Sequence, residues 1–326
     1  MTKIDDEPLR LTNYIRMCGE LACLLEVSAT PKPGNVHRFR DFFDLRYEDF
    51  LASSVTLGHF IEVLASKGCQ IRKDPTKWSD LHLGVTIQEA IQQSNYFHKK
   101  SNTNLGIILL LAPLSVAAGL TFDSKTGTCN INDMRYAVID VMKNTTVEDA
   151  IAVSEGIKLA EPGGLGEVSK YDVNDDSIRD ELIQDNINLE LLMLQCKDRD
   201  NICFELSQGY VITFHTGVPI LSRTLQECKD INIASINTYL AILASFPDTL
   251  IKRKFGQELA VSISDKAKQI SQLGGALTIE GRQALEEFDI EFSEETEKIN
   301  PGTSADLVAA TLFVYLLSGG KLWSTK

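Results

Sequence analysis

Apolar residues recur at spacings of three and four through residues 14–29, 50–65, 81–96, 134–142, 147–159, 178–194, 202–220 and 233–246. That spacing gathers them on one face of an α-helix, so each segment is predicted to form an amphipathic helix. Residues 105–120 differ in being apolar on every side. Interrupted by Pro113 and Gly119, this run falls short of the ~18 to 20 residues of a membrane span and is predicted to be a buried helix. Strand signals are few: Val211-Ile212-Thr213-Phe214 is the best β-branched stretch, and it lies inside a longer apolar segment assigned to helix. Pro247-Asp248 before Thr249, Gly274-Gly275 after Leu273 and Pro301-Gly302 before Thr303 punctuate further helix boundaries. The pattern predicts an all-α fold of about a dozen helices, a multi-helix globular domain. No repeat or linker divides the chain, so that single domain is expected to span 1–326. The main irregular stretch, 161–176, has a length at which loops are usually functional, and is a candidate lid; a shorter polar break falls at 71–79.

Composition narrows the function classes. The chain has 326 residues, 44% hydrophobic and 24% charged, enough for a sizeable core. A net charge of -13 argues against a nucleic-acid partner, because a polyanion is held chiefly through cations that displace its counterions. The same charge means that a phosphate-bearing substrate must be met by local Lys or Arg, by helix N-termini or by a divalent cation, and Mg2+ is the economical answer. Seven cysteines lie in apolar segments without a Cys-x-x-Cys spacing, which predicts reduced, buried thiols. No basic start precedes an apolar run at the N-terminus, and the expected location is cytoplasmic, with no membrane partner. Small-molecule substrates are the expected partners, and a homo-oligomer is compatible with this reading. The five histidines have no His-x-x-x-His pairing that would suggest zinc hydrolysis.

Three polar motifs each adjoin an apolar helix: Ala29-Thr30-Pro31-Lys32-Pro33-Gly34-Asn35-Val36, Asn102-Thr103-Asn104-Leu105-Gly106, and Asn300-Pro301-Gly302-Thr303-Ser304-Ala305-Asp306. Helix termini with free backbone N–H groups are natural anion sites, so the three motifs read as one phosphate-binding site. Glu26 lies beside the apolar stripe near the end of its helix, where the macrodipole disfavours a carboxylate; a metal or a basic partner such as Lys32 or Arg38 would compensate. The prolines around Lys32 stiffen the turn and would pre-position that lysine for a triphosphate, although a simple helix stop explains them too. Asn102, Thr103 or Asn104 can cap the next helix, and Gly106 in its first turn is more readily understood if something must approach closely. Thr303 with Asp306 resembles a capping box opening an apolar helix over 307–317. A carboxylate beside a helix that apolar needs a partner, which makes Asp306 the first candidate for magnesium or general-base chemistry and a structural cap its alternative. Asp248 begins a segment with Lys252, Arg253 and Lys254, cations that could face phosphate or simply be solvated. Gly163-Gly164-x-Gly166 is a weak phosphate-loop signal, since no strand precedes it.

Taken in order, Glu26-Val27-Ser28-Ala29-Thr30-Pro31-Lys32-Pro33-Gly34, Asn102-Thr103-Asn104-Leu105-Gly106, Gly163-Gly164-Leu165-Gly166-Glu167, Asp248-Thr249-Leu250-Ile251 with Arg253-Lys254 and Gly256, and Pro301-Gly302-Thr303-Ser304-Ala305-Asp306-Leu307 resemble the triphosphoribosyl-dephospho-CoA synthase family over nearly the whole chain. The resemblance implies an enzyme, a pentosyltransferase. It takes ATP and 3'-dephospho-CoA, releases adenine and makes the precursor of the prosthetic group of citrate lyase or malonate decarboxylase. An oxocarbenium-like transition state suits paired carboxylates, and Asp306 and Glu26 are the expected catalytic and Mg2+-binding pair, with Asp248 in reserve. Lys32, Gly34, Asn102, Thr103, Asn104, Lys254, Thr303 and Ser304 are the expected nucleotide-binding residues. Two departures stand out. Asn104-Leu105 replaces a His-Lys pair in the bacterial pattern, and Val168-Ser169-Lys170-Tyr171-Asp172 replaces an acid-rich stretch. A different ribosyl acceptor in another cofactor pathway, and a non-catalytic nucleotide-binding helical protein, remain alternatives.

Overall fold

In the computed structural model, which describes residues 8–94, 96, 103–166, 168–294 and 299–322, the apolar spacings resolve into fifteen α-helices. Helices α1 (Pro8–Ser28), α2 (Tyr47–Lys73), α3 (Leu83–Ser94) and α4 (Leu105–Thr121) lead into a short antiparallel ribbon, β1 (Phe122–Asp123) and β2 (Thr128–Cys129), which pairs Phe122 with Cys129. There follow α5 (Ile131–Lys143), α6 (Val147–Ala160), α7 (Ile178–Gln184), α8 (Leu189–Cys196), α9 (Asn201–Gln208), α10 (Val218–Cys228), α11 (Ile231–Ser245), α12 (Thr249–Phe255), α13 (Gln257–Gln272), α14 (Ile279–Glu294) and α15 (Gly302–Leu317). The fold is all-α. Among the described residues no helix is long and apolar enough to cross a membrane.

The two helices that are apolar all round occupy the centre, as burial on every face requires. Residues 107–119 of α4 are buried without a break, and α4 packs against α1, α2, α3, α5 and α15. Helix α15 is enclosed by α1, α4, α10 and α11. The α2–α4 crossing brings backbone against backbone: a Cβ on Gly119 would lie 2.1 Å from the Ala65 carbonyl oxygen, and one on Gly68 2.2 Å from that of Val116. Pro113 cannot donate to the carbonyl one turn earlier. Next to that gap, the buried Tyr210 hydroxyl donates to the Leu110 carbonyl at 2.7 Å.

Local capping divides several segments that periodicity alone joins. The predicted helix over 178–194 breaks where Asn186 turns to positive φ and Asn188 caps α8 by accepting from Leu191 N at 2.9 Å. The segment 202–220 stops at Gly209 (φ 69°), and a π-helical turn, Thr213–Gly217, then leads into α10. The buried Glu205 carboxylate organises that turn, accepting from Ile212 N at 2.6 Å, Thr213 N at 2.8 Å and Thr213 Oγ1 at 2.6 Å. The stretch expected to break at 71–79 instead continues α2 through Lys73 before a 3-10 turn over Pro75–Asp80.

One cysteine expectation fails. Cys196 and Cys203 form a disulfide, their Cα atoms 5.7 Å apart, because α8 and α9 fold back on one another as a hairpin. A spacing of seven residues carries no sign of this in the sequence, and the argument from uniformly reduced thiols to a cytoplasmic location loses that support. Thiol titration of protein unfolded without reductant is expected to count the five remaining cysteines, Cys18, Cys23, Cys69, Cys129 and Cys228. A count of seven would exclude the bridge.

Candidate active site

Helix ends determine where the molecule is hollow. The first turns of α4 and α15 open onto one cavity of about 700 Å³, closed by the last turn of α1, the loop after α6, the α8–α9 hairpin and α12. The size is that of a pocket for a nucleotide-sized ligand. Both helices are long, and neither has a side chain capping its first turn directly from the N-cap position. Their N-terminal dipoles and backbone N–H groups therefore favour an anion there.

Helix α15 begins at Gly302, immediately after Pro301, so the expected capping box is not formed. Thr303 lies inside the first turn, where it accepts a hydrogen bond from Thr249 Oγ1 at 3.3 Å, and Asp306 lies a turn further on at the cavity wall. The residue that ties down this helix start is Asp248. Its Oδ1 accepts from Leu250 N (2.9 Å) and Ile251 N (3.2 Å) at the start of α12, and its Oδ2 from Ser304 N (2.7 Å) and Ser304 Oγ (2.9 Å) in α15. Asp248 is fully buried and off the cavity, so its reserve catalytic role is corrected to a double cap joining two helices. Ser304, engaged with it, is also off the cavity.

Asp306 has no hydrogen-bond or ion-pair partner among the described residues. Its carboxylate rests on the first turn of α4, where a Cβ on Gly106 would lie 2.0 Å from Oδ2. Burial pushes its carboxyl well above the usual carboxylate range, and the negative charges of Glu26, Asp248 and Asp200 add to this, outweighing Lys32. Neighbouring positions in the same motif serve structure. Asn104 sits at the N-cap of α4, but its side chain donates to Ser53 Oγ of α2 at 2.7 Å rather than capping, and it is off the cavity. Thr103 Oγ1 also donates to Ser53, at 2.8 Å, and does line the cavity. Asn102 lies outside the described residues.

Glu26, in the last turn of α1, forms a buried ion pair with Lys32, which also donates to the Glu26 carbonyl at 2.9 Å. Lys32 is thus committed to that carboxylate rather than extended as a free cation for phosphate, and Arg38 turns instead to the Ser28 carbonyl. Burial raises the Glu26 carboxyl, and Lys32 opposes the rise. The intervening turn is held from outside: Thr30 and Asn232 exchange two 2.8 Å hydrogen bonds, and Tyr239 OH donates to the Pro33 carbonyl at 2.7 Å. Gly34, at φ 77°, lets the turn close against α15, since a Cβ there would lie 2.6 Å from Pro301 Cδ. It is off the cavity and serves packing.

The glycine loop runs along the cavity, which Gly163, Leu165 and Gly166 line. Gly163 and Gly164 lie against α12, where added Cβ atoms would stand 2.7 Å from Lys254 Cε and 2.9 Å from Lys254 Cγ. Arg199 Nη2 donates to the Leu165 carbonyl at 2.7 Å, and Tyr171 N to Glu181 at 2.9 Å, so the irregular stretch is pinned along the cavity rim. Arg253 faces the cavity, paired with Asp200 of the hairpin, and Lys254 also lines it. Sequence reasoning missed Arg199 and Asp200, and left Asn35 inside a motif without singling it out. Their only signal was polarity in the turns that follow apolar helices, and the hairpin that brings Arg199 and Asp200 to the cavity is a tertiary feature. Among the described residues no cluster of three or more His, Cys, Asp or Glu side chains could hold a metal by itself.

Comparison with known proteins bears on the same arrangement. A family model described as ATP:dephospho-CoA triphosphoribosyl transferase matches residues 12–325. A 2-(5''-triphosphoribosyl)-3'-dephosphocoenzyme-A synthase from Klebsiella pneumoniae is 29% identical over 119 residues, 36% of this chain and 39% of that protein. A provisionally named homologue of the same description from Pseudomonas fluorescens is 28% identical over 116 residues, 36% of this chain and 39% of its own. The chain thus matches about two fifths of the length of these relatives. A solved structure from Archaeoglobus fulgidus, provisionally named a triphosphoribosyl-dephospho-CoA synthase, superposes with a TM-score of 0.61 at 24% identity, covering 85% of this chain and all of that one. That likeness establishes the fold.

Proposed function

We propose, for a chain that belongs to the ATP:dephospho-CoA triphosphoribosyl transferase family, that the cavity binds ATP with Mg2+ and transfers its 5-triphosphoribosyl group to a hydroxyl of 3'-dephospho-CoA, releasing adenine. The observation that carries the reading is the convergence of two long buried helix N-termini and an unpaired carboxylate on one nucleotide-sized cavity. Helix N-termini suit a triphosphate that must be held without being hydrolysed. Asp306 does not suit a triphosphate on its own, because like charges repel; the two become compatible when a divalent cation lies between them. Magnesium keeps several waters and takes one or two carboxylates plus phosphate oxygens, so Asp306, with Glu26 behind it, fits an ion that arrives with ATP. Bound there, the ion would neutralise phosphate charge during the transfer.

In the reaction the bond from the ribose C1' to adenine breaks and a bond from C1' to the acceptor oxygen forms, and the proton lost by the hydroxyl balances the one adenine gains. Positive charge on the ribose is stabilised by nearby carboxylate, the role that Asp306 and Glu26 share. The Glu26 carboxylate, ion-paired with Lys32, takes the hydroxyl proton in this proposal, and burial raises its affinity for a proton while Lys32 opposes the rise. Arg199, Arg253 and Lys254 supply the positive charge at the rim that a second phosphorylated substrate requires. The proposed use of ATP supports a cytoplasmic location as part of the same proposal. The test is incubation with Mg-ATP, with and without 3'-dephospho-CoA, and chromatography for free adenine. Adenine formed only with both substrates, and lost when the magnesium is chelated, is the expected result. ATP bound equally well with and without magnesium, and no adenine, would defeat the reading.

A further inference from the structure

We infer that Gly106 is a positioning residue for the transfer: lacking a side chain, it lets the Asp306 carboxylate lie directly on the first turn of α4 and so fixes its direction into the cavity. The inference rests on the reaction proposed above and adds a residue to it. The contact is specific. A Cβ at Gly106 would stand 2.0 Å from Asp306 Oδ2, 2.7 Å from its Cγ and 3.3 Å from its Cβ. The contact with Cβ is tight but needs only a few tenths of an ångström, whereas the overlap with Oδ2 is far worse, so the main conflict is with the carboxylate, which would have to move by more than about 1 Å to reach an ordinary contact.

Neither helix can yield instead. Further along, α4 is locked to α2 by the glycine crossing at Gly68 and Gly119, and near its start Asn104 is bonded to Ser53. Helix α15 is held at its start by Asp248, and further along Gly217 packs on Thr311, where a Cβ would be 2.1 Å from Oγ1. With both backbones fixed, a methyl group at position 106 must turn the Asp306 side chain to another rotamer. Displacement of a reacting group by about 1 Å costs on the order of 100-fold in rate. Glycine is otherwise a poor choice in a helix, so alanine there would stabilise the turn if nothing stood opposite.

The last point gives a test that separates contact from reaction. Gly106→Ala is placed in the wild-type chain and in an Asp306→Ala chain, and melting temperature and adenine release are measured. The expected result is a lower melting temperature in the wild-type background, a higher one in the Asp306→Ala background, and kcat reduced about 100-fold or more with the KM for the acceptor within about threefold. Should Gly106→Ala prevent folding unless Asp306 is also truncated, the same conclusion holds. A rise in melting temperature in both backgrounds, failure of both to fold, or unchanged kcat would overturn it. If the wild-type protein releases no adenine, the reaction falls, and the failure is distinguishable because the inversion in melting temperature persists.

Discussion

Asp306→Asn is expected to lower adenine release by ~100-fold or more and, at neutral pH without ligand, to raise the melting temperature. The two effects have one cause. The carboxylate is held at the cavity wall with no partner among the described residues, its affinity for a proton raised by burial and then by neighbouring acids. A group whose folded pKa is raised binds its proton more tightly when native, so its contribution to stability is present below the ordinary carboxylate range and is lost as pH rises above it. Asparagine has no such charge to bury. The gap in melting temperature between variant and wild type should therefore close below about pH 4 and widen toward neutrality. Magnesium with ATP should narrow it again, by supplying wild type with the cation its carboxylate lacks. A variant that melts lower than wild type at neutral pH, or that retains full turnover, would return Asp306 to a structural role.

Asp248→Ala is expected to cost about 3 to 5 kcal/mol of stability, measured by denaturant unfolding, because three backbone N–H groups and one hydroxyl at two helix starts lose their acceptor in a buried place. Asp248→Asn should cost less, since asparagine still caps α12 while turning a donor toward Ser304. A fully stable but inactive Asp248→Ala protein would restore the catalytic role that the sequence suggested.

Asp248 and Asp306 show what the sequence can and cannot carry. Each is an aspartate soon after a proline at the head of a helix, and nothing in composition separates them. Their roles diverge because Asp248 precedes α12 whereas α15 starts at Gly302, leaving Asp306 inside the helix; a shift of a few residues in a boundary converts a cap into a cavity-lining carboxylate. The helical class was legible because a 3.6-residue period survives in single segments, and so was the burial of α4, which is apolar on every side. The break at Asn188, the turn organised by Glu205 and the bridge between Cys196 and Cys203 were not, because each depends on a side chain bonded across a gap that periodicity does not register. In the same way Lys32 was recognised as held in place and, beside Arg38, as a candidate partner of Glu26, while the choice of Lys32 over Arg38 required knowing how the turn folds back on α1.

The central position of α15 has a consequence for how the chain reaches this state. Helix α15 is synthesised after the helices that enclose it, yet α1 and α4 bury their inner faces against it. Until it is made, those faces stay open to water or to other chains, and the floor of the cavity is missing. The nascent chain therefore completes this core only once α15 has been made, through contacts between α1 and α15 that lie far apart in sequence, the kind of topology that folds slowly and relies on protection from aggregation while it waits.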